Sequence, residues 1–199
     1  MKKQLIFAVF FISCLVSAQK VKVLSGDYKS LKGITEYNLV FDYENIKVDK
    51  FQTEEEFLAD KMKKREEKGT DDDFKKSWFA DRANRYEPKF IESFNKRFDD
   101  GEVKADKGLT NAKYTMKVKT TWISPGYNVG VVRRDAYVTA VITVFETANP
   151  SNVLISVEYE KAHGDGAMGY DFNSGYRISE GYAKMSKELA FDIKKNTKR

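Results

Sequence analysis

Residues 113–122 read KYTMKVKTTW. Lys113, Thr115, Lys117, Lys119 and Thr121 alternate with Tyr114, Met116, Val118, Thr120 and Trp122. Successive side chains of a strand point to opposite faces, so this pattern gives one wet face and one buried face. Ser124-Pro125-Gly126 then turns the chain. Residues 135–146 form a longer apolar strand with Val138, Ala140, Ile142 and Val144 on one side. Asn149-Pro150-Ser151-Asn152 is a second turn, and Val153, Ile155, Val157 and Tyr159 carry a third strand. Short turns join only antiparallel neighbours, so the three strands are expected to form an antiparallel meander.

Towards the N-terminus, residues 20–24 (KVKVL) alternate as a short strand. Residues 37–48 (YNLVFDYENIKV) are aromatic and β-branched, and read as a strand with a bulge. Thr53-Glu54-Glu55-Glu56 is a capping box, in which Thr53 caps an amide three residues on and Glu56 reaches back. It predicts a helix over 54–67 with Phe57, Leu58 and Met62 inward, closed by Lys68-Gly69. A second helical stretch opens near Asp71 and carries Phe74, Trp78, Phe79, Tyr86, Phe90, Phe94 and Phe98 at helical spacing. Pro88 lacks a backbone donor and predicts a kink or restart. Asp99-Asp100-Gly101 closes the stretch. Beyond the meander, a glycine-rich loop over 163–175 leads to a helix over about 176–195, striped by Ile178, Tyr182, Met185, Leu189 and Ile193. The order predicts an α+β fold of two layers, a mainly antiparallel sheet of about five strands with helices packed on one face.

The chain has 199 residues, 35 Lys+Arg, 30 Asp+Glu, one His and one Cys. Lys2 and Lys3 precede an apolar stretch from Leu5 to Val16, and Val16-Ser17-Ala18 offers small side chains to a peptidase. The pattern predicts a signal peptide over 1–18. Phe11-Ile12-Ser13-Cys14 is a degenerate lipobox, but apolar Leu15-Val16 follows where a polar linker is expected. The expected location is therefore the periplasm, with secretion or lipid anchoring through Cys14 as alternatives. Residues 19–199 then form a single domain with a basic C-terminal tail, no cysteine, one histidine (His163) and a net charge of +3. Disulfides, cysteine-rich zinc sites, thiol catalysis and iron–sulfur ligation are excluded. No cofactor and no bound metal are expected.

Gly164-Asp165-Gly166-Ala167-Met168-Gly169 matches G-x-G-x-x-G. Dinucleotide binding needs the helix to open inside the motif and a parallel strand to follow, and the chain ends after the next helix. The same loop groups His163, Asp165, Asp171 and Asn173, an oxygen set too sparse for an EF-hand. Asp165 and Asp171 are kept as candidate ligand contacts, and His163 reads as a strand-end polar residue. Asp71-Asp72-Asp73 reads as helix-start capping against the dipole. Lys194, Lys195, Lys198 and Arg199 make the tail basic. A short tail is not the domain-wide patch of a nucleic-acid binder, so no nucleic acid is expected, and at most a peripheral contact with anionic headgroups.

The densest string is Trp78-Phe79-Ala80-Asp81-Arg82 through Arg85-Tyr86-Glu87-Pro88-Lys89-Phe90. Trp and Arg dominate binding hot spots, which makes Trp78, Arg82 and Arg85 candidate partner contacts. The competing reading buries Trp78 and Phe90 in the core and puts Arg82 and Arg85 on a tolerant outer surface. This run, with Phe41-Asp42-Tyr43-Glu44-Asn45, resembles a family of small exported proteins of Gram-negative bacteria whose function is uncharacterised; the likeness spans about half of residues 19–199. The closing pattern, a glycine-rich loop followed by Arg177 and a helix ending Leu189-Ala190, resembles envelope α/β domains related to the TolB N-terminal domain and to curli-type outer-membrane assembly lipoproteins. It covers the C-terminal third, and the missing clear lipobox departs from those lipoproteins. Neither resemblance supplies a catalytic residue. Together they imply a non-enzymatic envelope module for binding or assembly, its partner an envelope protein or polymer. The alternatives are a secreted hydrolase using carboxylates and a small-ligand carrier.

Overall fold

A computed structural model describes residues 20–98, 101–165 and 173–198. The predicted leader, Asp171 and most of the G-x-G-x-x-G match lie outside the described residues. The strands are β1 (Lys20–Gly26), β2 (Glu36–Asp42), β3 (Lys47–Val48), β4 (Lys104–Asp106), β5 (Tyr114–Ser124), β6 (Tyr127–Asn128), β7 (Arg133–Arg134), β8 (Ala136–Glu146) and β9 (Asn149–Gly164). The helices are α1 (Glu54–Lys63), α2 (Asp71–Asp81), α3 (Glu87–Asn95) and α4 (Ser174–Thr197).

The fold is α+β, and the meander is present: β5 pairs antiparallel with β8, and β8 with β9. The sheet is larger and more mixed than expected. It has seven strands in the order β1-β9-β8-β5-β2-β4, with β3 also pairing β5. β2 and β3 run parallel to β5, and β4 runs parallel to β2. The cause is the connection. Between β2 and β5 the chain makes a helical excursion through α1, α2 and α3, and a crossover of that length permits a parallel return that a tight turn forbids.

One face of the sheet holds the core. Val138, Ala140, Ile142 and Val144 of β8 are buried with Ile155, Val157 and Tyr159 of β9. All five members of the α4 stripe are buried against them. The opposite face, with Val40, Lys117, Lys119 and Val141, remains partly or fully open to solvent. Along β5 a register shift between Thr120 and Trp122 breaks the alternation. Ile123 is therefore buried, while Trp122 sits half-buried with its indole N–H donating to the Asp49 carbonyl at 3.0 Å.

Each helix signal corresponds to a helix. The Thr53 hydroxyl accepts from the Glu56 amide at 3.2 Å, while the Glu56 carboxylate accepts from Gln52 rather than Thr53. α1 ends at Lys63, earlier than expected, and the chain closes through Gly69 in the left-handed region. Asp71, Asp72 and Asp73 occupy the first turn of α2 without a side-chain cap, so they act on the dipole alone. The disturbance at Pro88 is a π-helical turn over Arg82–Tyr86. Proline cannot donate to the carbonyl one turn back, and the widened turn absorbs the mismatch, with the Glu87 amide donating to Arg82 five residues earlier. Helix α2, the π turn and α3 thus run on without a break.

Candidate functional site

Trp78 is buried, 4 % exposed, and packs against Phe57 and Phe74. Its indole N–H donates to Glu54 Oε1 at 2.6 Å. Arg82 donates to both oxygens of the same carboxylate at 2.6 Å and lies over the rings of Tyr43 and Phe79. Glu54, itself 8 % exposed, therefore ties the start of α1 to the end of α2. This corrects the outer-surface expectation for Arg82: its side chain is 21 % exposed and structural. Arg85 fits that expectation. It is 40 % exposed and pairs with Asp81 one turn back at 2.7 Å.

Behind this cluster, Tyr86 stacks on Tyr182 with ring centres 5.2 Å apart, and Tyr182 shares a 2.6 Å hydrogen bond with Thr120. Burial pushes the Tyr182 hydroxyl well above its usual range, so it stays neutral. Burial also raises the Asp81 carboxyl, with Arg85 opposing. That carboxylate lies where a side chain on residue 175 would begin, which is why glycine stands there.

Trp78 forms part of the wall of a half-open cavity of about 360 Å³. Phe57 and Phe74 complete its aromatic side, and Lys61, Lys64, Arg65, Arg134 and Arg177 contribute five cations. Two carboxylates answer them: Asp49 in the lining, 3.6 Å from Arg134, and Asp60 beside Lys64 at 2.8 Å. Arg65 lies over the Phe74 ring at 4.2 Å. Arg177 is 2 % exposed, and its guanidinium donates to the Pro125 carbonyl at 3.0 Å. Ser174, in the first turn of α4, also lines the cavity, so the positive end of that helix faces it. Asn173 caps α4 by accepting from the Tyr176 amide at 3.1 Å.

The fourth wall is a hairpin of β6 and β7. Gly126 opens it with φ +60, and a Cβ there would run into the Arg134 carbonyl, so the turn into the hairpin requires glycine. Tyr127 at the rim is 45 % exposed, and Val129, Val131 and Val132 are exposed on the loop. Asn128 holds the turn by accepting from the Gly130 amide at 2.8 Å.

The remaining candidates lie elsewhere. Asp165 is exposed and pairs with Arg133. His163, close to the end of β9, shares a 2.9 Å hydrogen bond with Asp135. Among the described residues, no group of three or more His, Cys, Asp or Glu is placed to hold a metal ion. The structure thus joins Trp78 to Phe57, Phe74 and Arg177, which the sequence marks for other reasons, and to Lys61, Lys64, Arg65 and Arg134, which it does not single out. Lys61, Lys64 and Arg65 share one face by helical spacing, a visible signal, but their convergence with Arg134 and Arg177 is tertiary.

The His163 hydrogen bond, aided by Arg133, outweighs burial and holds the Asp135 carboxyl below the usual carboxylate range. A depressed folded-state value stabilises above the unfolded value and is lost as pH falls through the folded one. The stability gap between the native chain and Asp135→Asn should therefore close below about pH 4. Urea midpoints across that range check this; a gap constant with pH contradicts it.

No family model matches the chain. No curated protein matches it. Among solved structures, a PelC dodecamer from Paraburkholderia phytofirmans is similar at 12 % identity and a TM-score of 0.35, covering 83 % of this chain and 99 % of that one. Among the described residues, no helix is long and apolar enough to cross a membrane.

Proposed function

We propose that the chain is a non-enzymatic binding module of the cell envelope, exported by its predicted leader, whose cationic cavity takes an acidic envelope polymer. The observation that carries this is the cavity's lining: five cations against one carboxylate, Asp49, beside aromatic walls and an exposed tyrosine at the rim. Guanidinium groups pair with carboxylate or phosphate, and the exposed Tyr127 ring at the rim offers an apolar face to a sugar. The half-open shape suits a segment of a chain better than an enclosed small ligand, which would favour an enclosed apolar cavity.

Hydrolysis by paired carboxylates is less well supported. Burial raises the carboxyls of Asp81 and Asp192. Asp81 packs at Gly175, and Asp192 lies 17 residues further along α4, about 25 Å at the helical rise. They do not face a common cleft, which such chemistry needs.

Calorimetry with an oligogalacturonate and with a neutral glucan of equal length tests the proposal. The acidic chain should bind, and binding should weaken with salt. Lys64→Gln with Arg134→Gln removes two exposed cations and should lower affinity roughly tenfold or more without loss of fold. Equal binding of the neutral glucan, or unchanged affinity in the double variant, overturns it.

A further inference from the structure

The last three turns of α4 carry a second surface. Lys187, Phe191, Lys194 and Lys195 recur at intervals that place them on one side of the helix, and Lys198, its left-handed C-cap, joins them in the same hollow. With Arg97 from beyond the end of α3, they line one shallow hollow whose only acid is Glu188. An adjoining hollow shares Arg97 and Lys187 and adds Lys96 and Glu92. The two contain six cations and two acids beyond Lys89, which pairs with Glu180 at 3.0 Å. That patch carries +4, so the rest of residues 19–199 nets −1. At its centre the Phe191 ring is 63 % exposed. Asp192 points away, accepting from Tyr28 at 3.3 Å.

We infer that this face seats the protein on an anionic lipid bilayer. Two features of the surface match two features of such a bilayer. The lysines and arginine meet the phosphate plane, which attracts basic residues within a Debye length. The exposed phenyl ring meets the apolar layer just beneath it, while lysine stems lie along that boundary with their ammonium groups in the headgroups. A soluble polyanion would engage the cations and leave Phe191 in water. The face is distinct from the cationic cavity: Phe191 lies 14 residues beyond Arg177 on α4, about 21 Å along the helix.

Co-sedimentation tests this with the chain from Gln19, which retains every core residue, the first being Tyr28. Vesicles of phosphatidylcholine with about one-third phosphatidylglycerol should pull the protein down, vesicles of phosphatidylcholine alone should not, and salt should release it. Lys195→Glu should weaken binding about tenfold or more, as expected for reversing a charge at an anionic surface. Phe191→Ser should also weaken it, with the melting temperature of both variants unchanged because both side chains are exposed. Binding that is equal on neutral vesicles, absent on anionic ones, or indifferent to Phe191→Ser overturns the inference. So does capture by soluble polyglutamate, through this face, of a protein that ignores the vesicles.

Discussion

Trp78→Ala should lower the melting temperature by roughly 6–20 °C. The ring is 4 % exposed and packs on Phe57 and Phe74, so truncation loses transfer energy and leaves a cavity. Such changes cost about 3–5 kcal/mol, and each kcal/mol lowers the melting temperature by about 2–4 °C in a chain of this length. The indole N–H bond to Glu54 is also lost, although Arg82 still satisfies that carboxylate. A melting temperature within a degree or two of the native chain would mean that Trp78 does not anchor α2 against α1. Because Trp78 also forms part of the cavity wall, binding lost by this variant would say little; its diagnostic readout is stability.

The second large effect is expected at Arg82. Arg82→Ala leaves the Glu54 carboxylate, 8 % exposed, with the Trp78 indole as its remaining partner in this cluster. Breaking a buried pair from one side costs about 3–5 kcal/mol, and the lower end applies because Arg82 is partly exposed. A melting temperature lower by roughly 6–12 °C follows. Arg85→Ala, three residues on, removes a pair one turn apart whose arginine is 40 % exposed and whose Asp81 is 16 % exposed, and should cost at most about 1 kcal/mol. The contrast between neighbouring arginines is the useful readout. Comparable losses at both positions would contradict the placement of Glu54 as the link between α1 and α2.

That contrast also marks how far the sequence can be read. Local patterns are carried by a few consecutive residues, so the β5-β8-β9 meander, the Thr53 cap and the α4 stripe were all legible. The Pro88 disturbance was legible too, though not its resolution as a π turn. The parallel pairing of β2 with β5 was not, because it depends on where a helical excursion returns the chain. The β5 register shift was equally hidden: a strand's alternation does not announce the residue at which it breaks. The Arg82 placement depended on Glu54, 28 positions away, and no spacing rule connects them. The cavity shows the same limit at larger scale. Its cations come from α1 and the turn after it, from β7 and from α4, and only the Lys61, Lys64 and Arg65 cluster was visible locally. The hairpin beside it had its own signal in Asn128-Val129-Gly130, where a side-chain amide can hold a turn around glycine.

The central claim is that acidic saccharide is held at the cavity beside Trp78. The most direct measurement is a nuclear magnetic resonance titration that follows the two indole N–H signals, Trp78 and Trp122, together with the Gly126 and Phe191 amides. The account predicts that oligogalacturonate moves the Trp78 indole and Gly126 signals in a saturable, salt-sensitive way. Any movement at Phe191 should need more oligogalacturonate than Trp78 and Gly126 do, and a neutral glucan of the same length should leave every signal in place. Saturating oligogalacturonate that leaves Trp78 and Gly126 unmoved, or a neutral glucan that moves them equally, would contradict it.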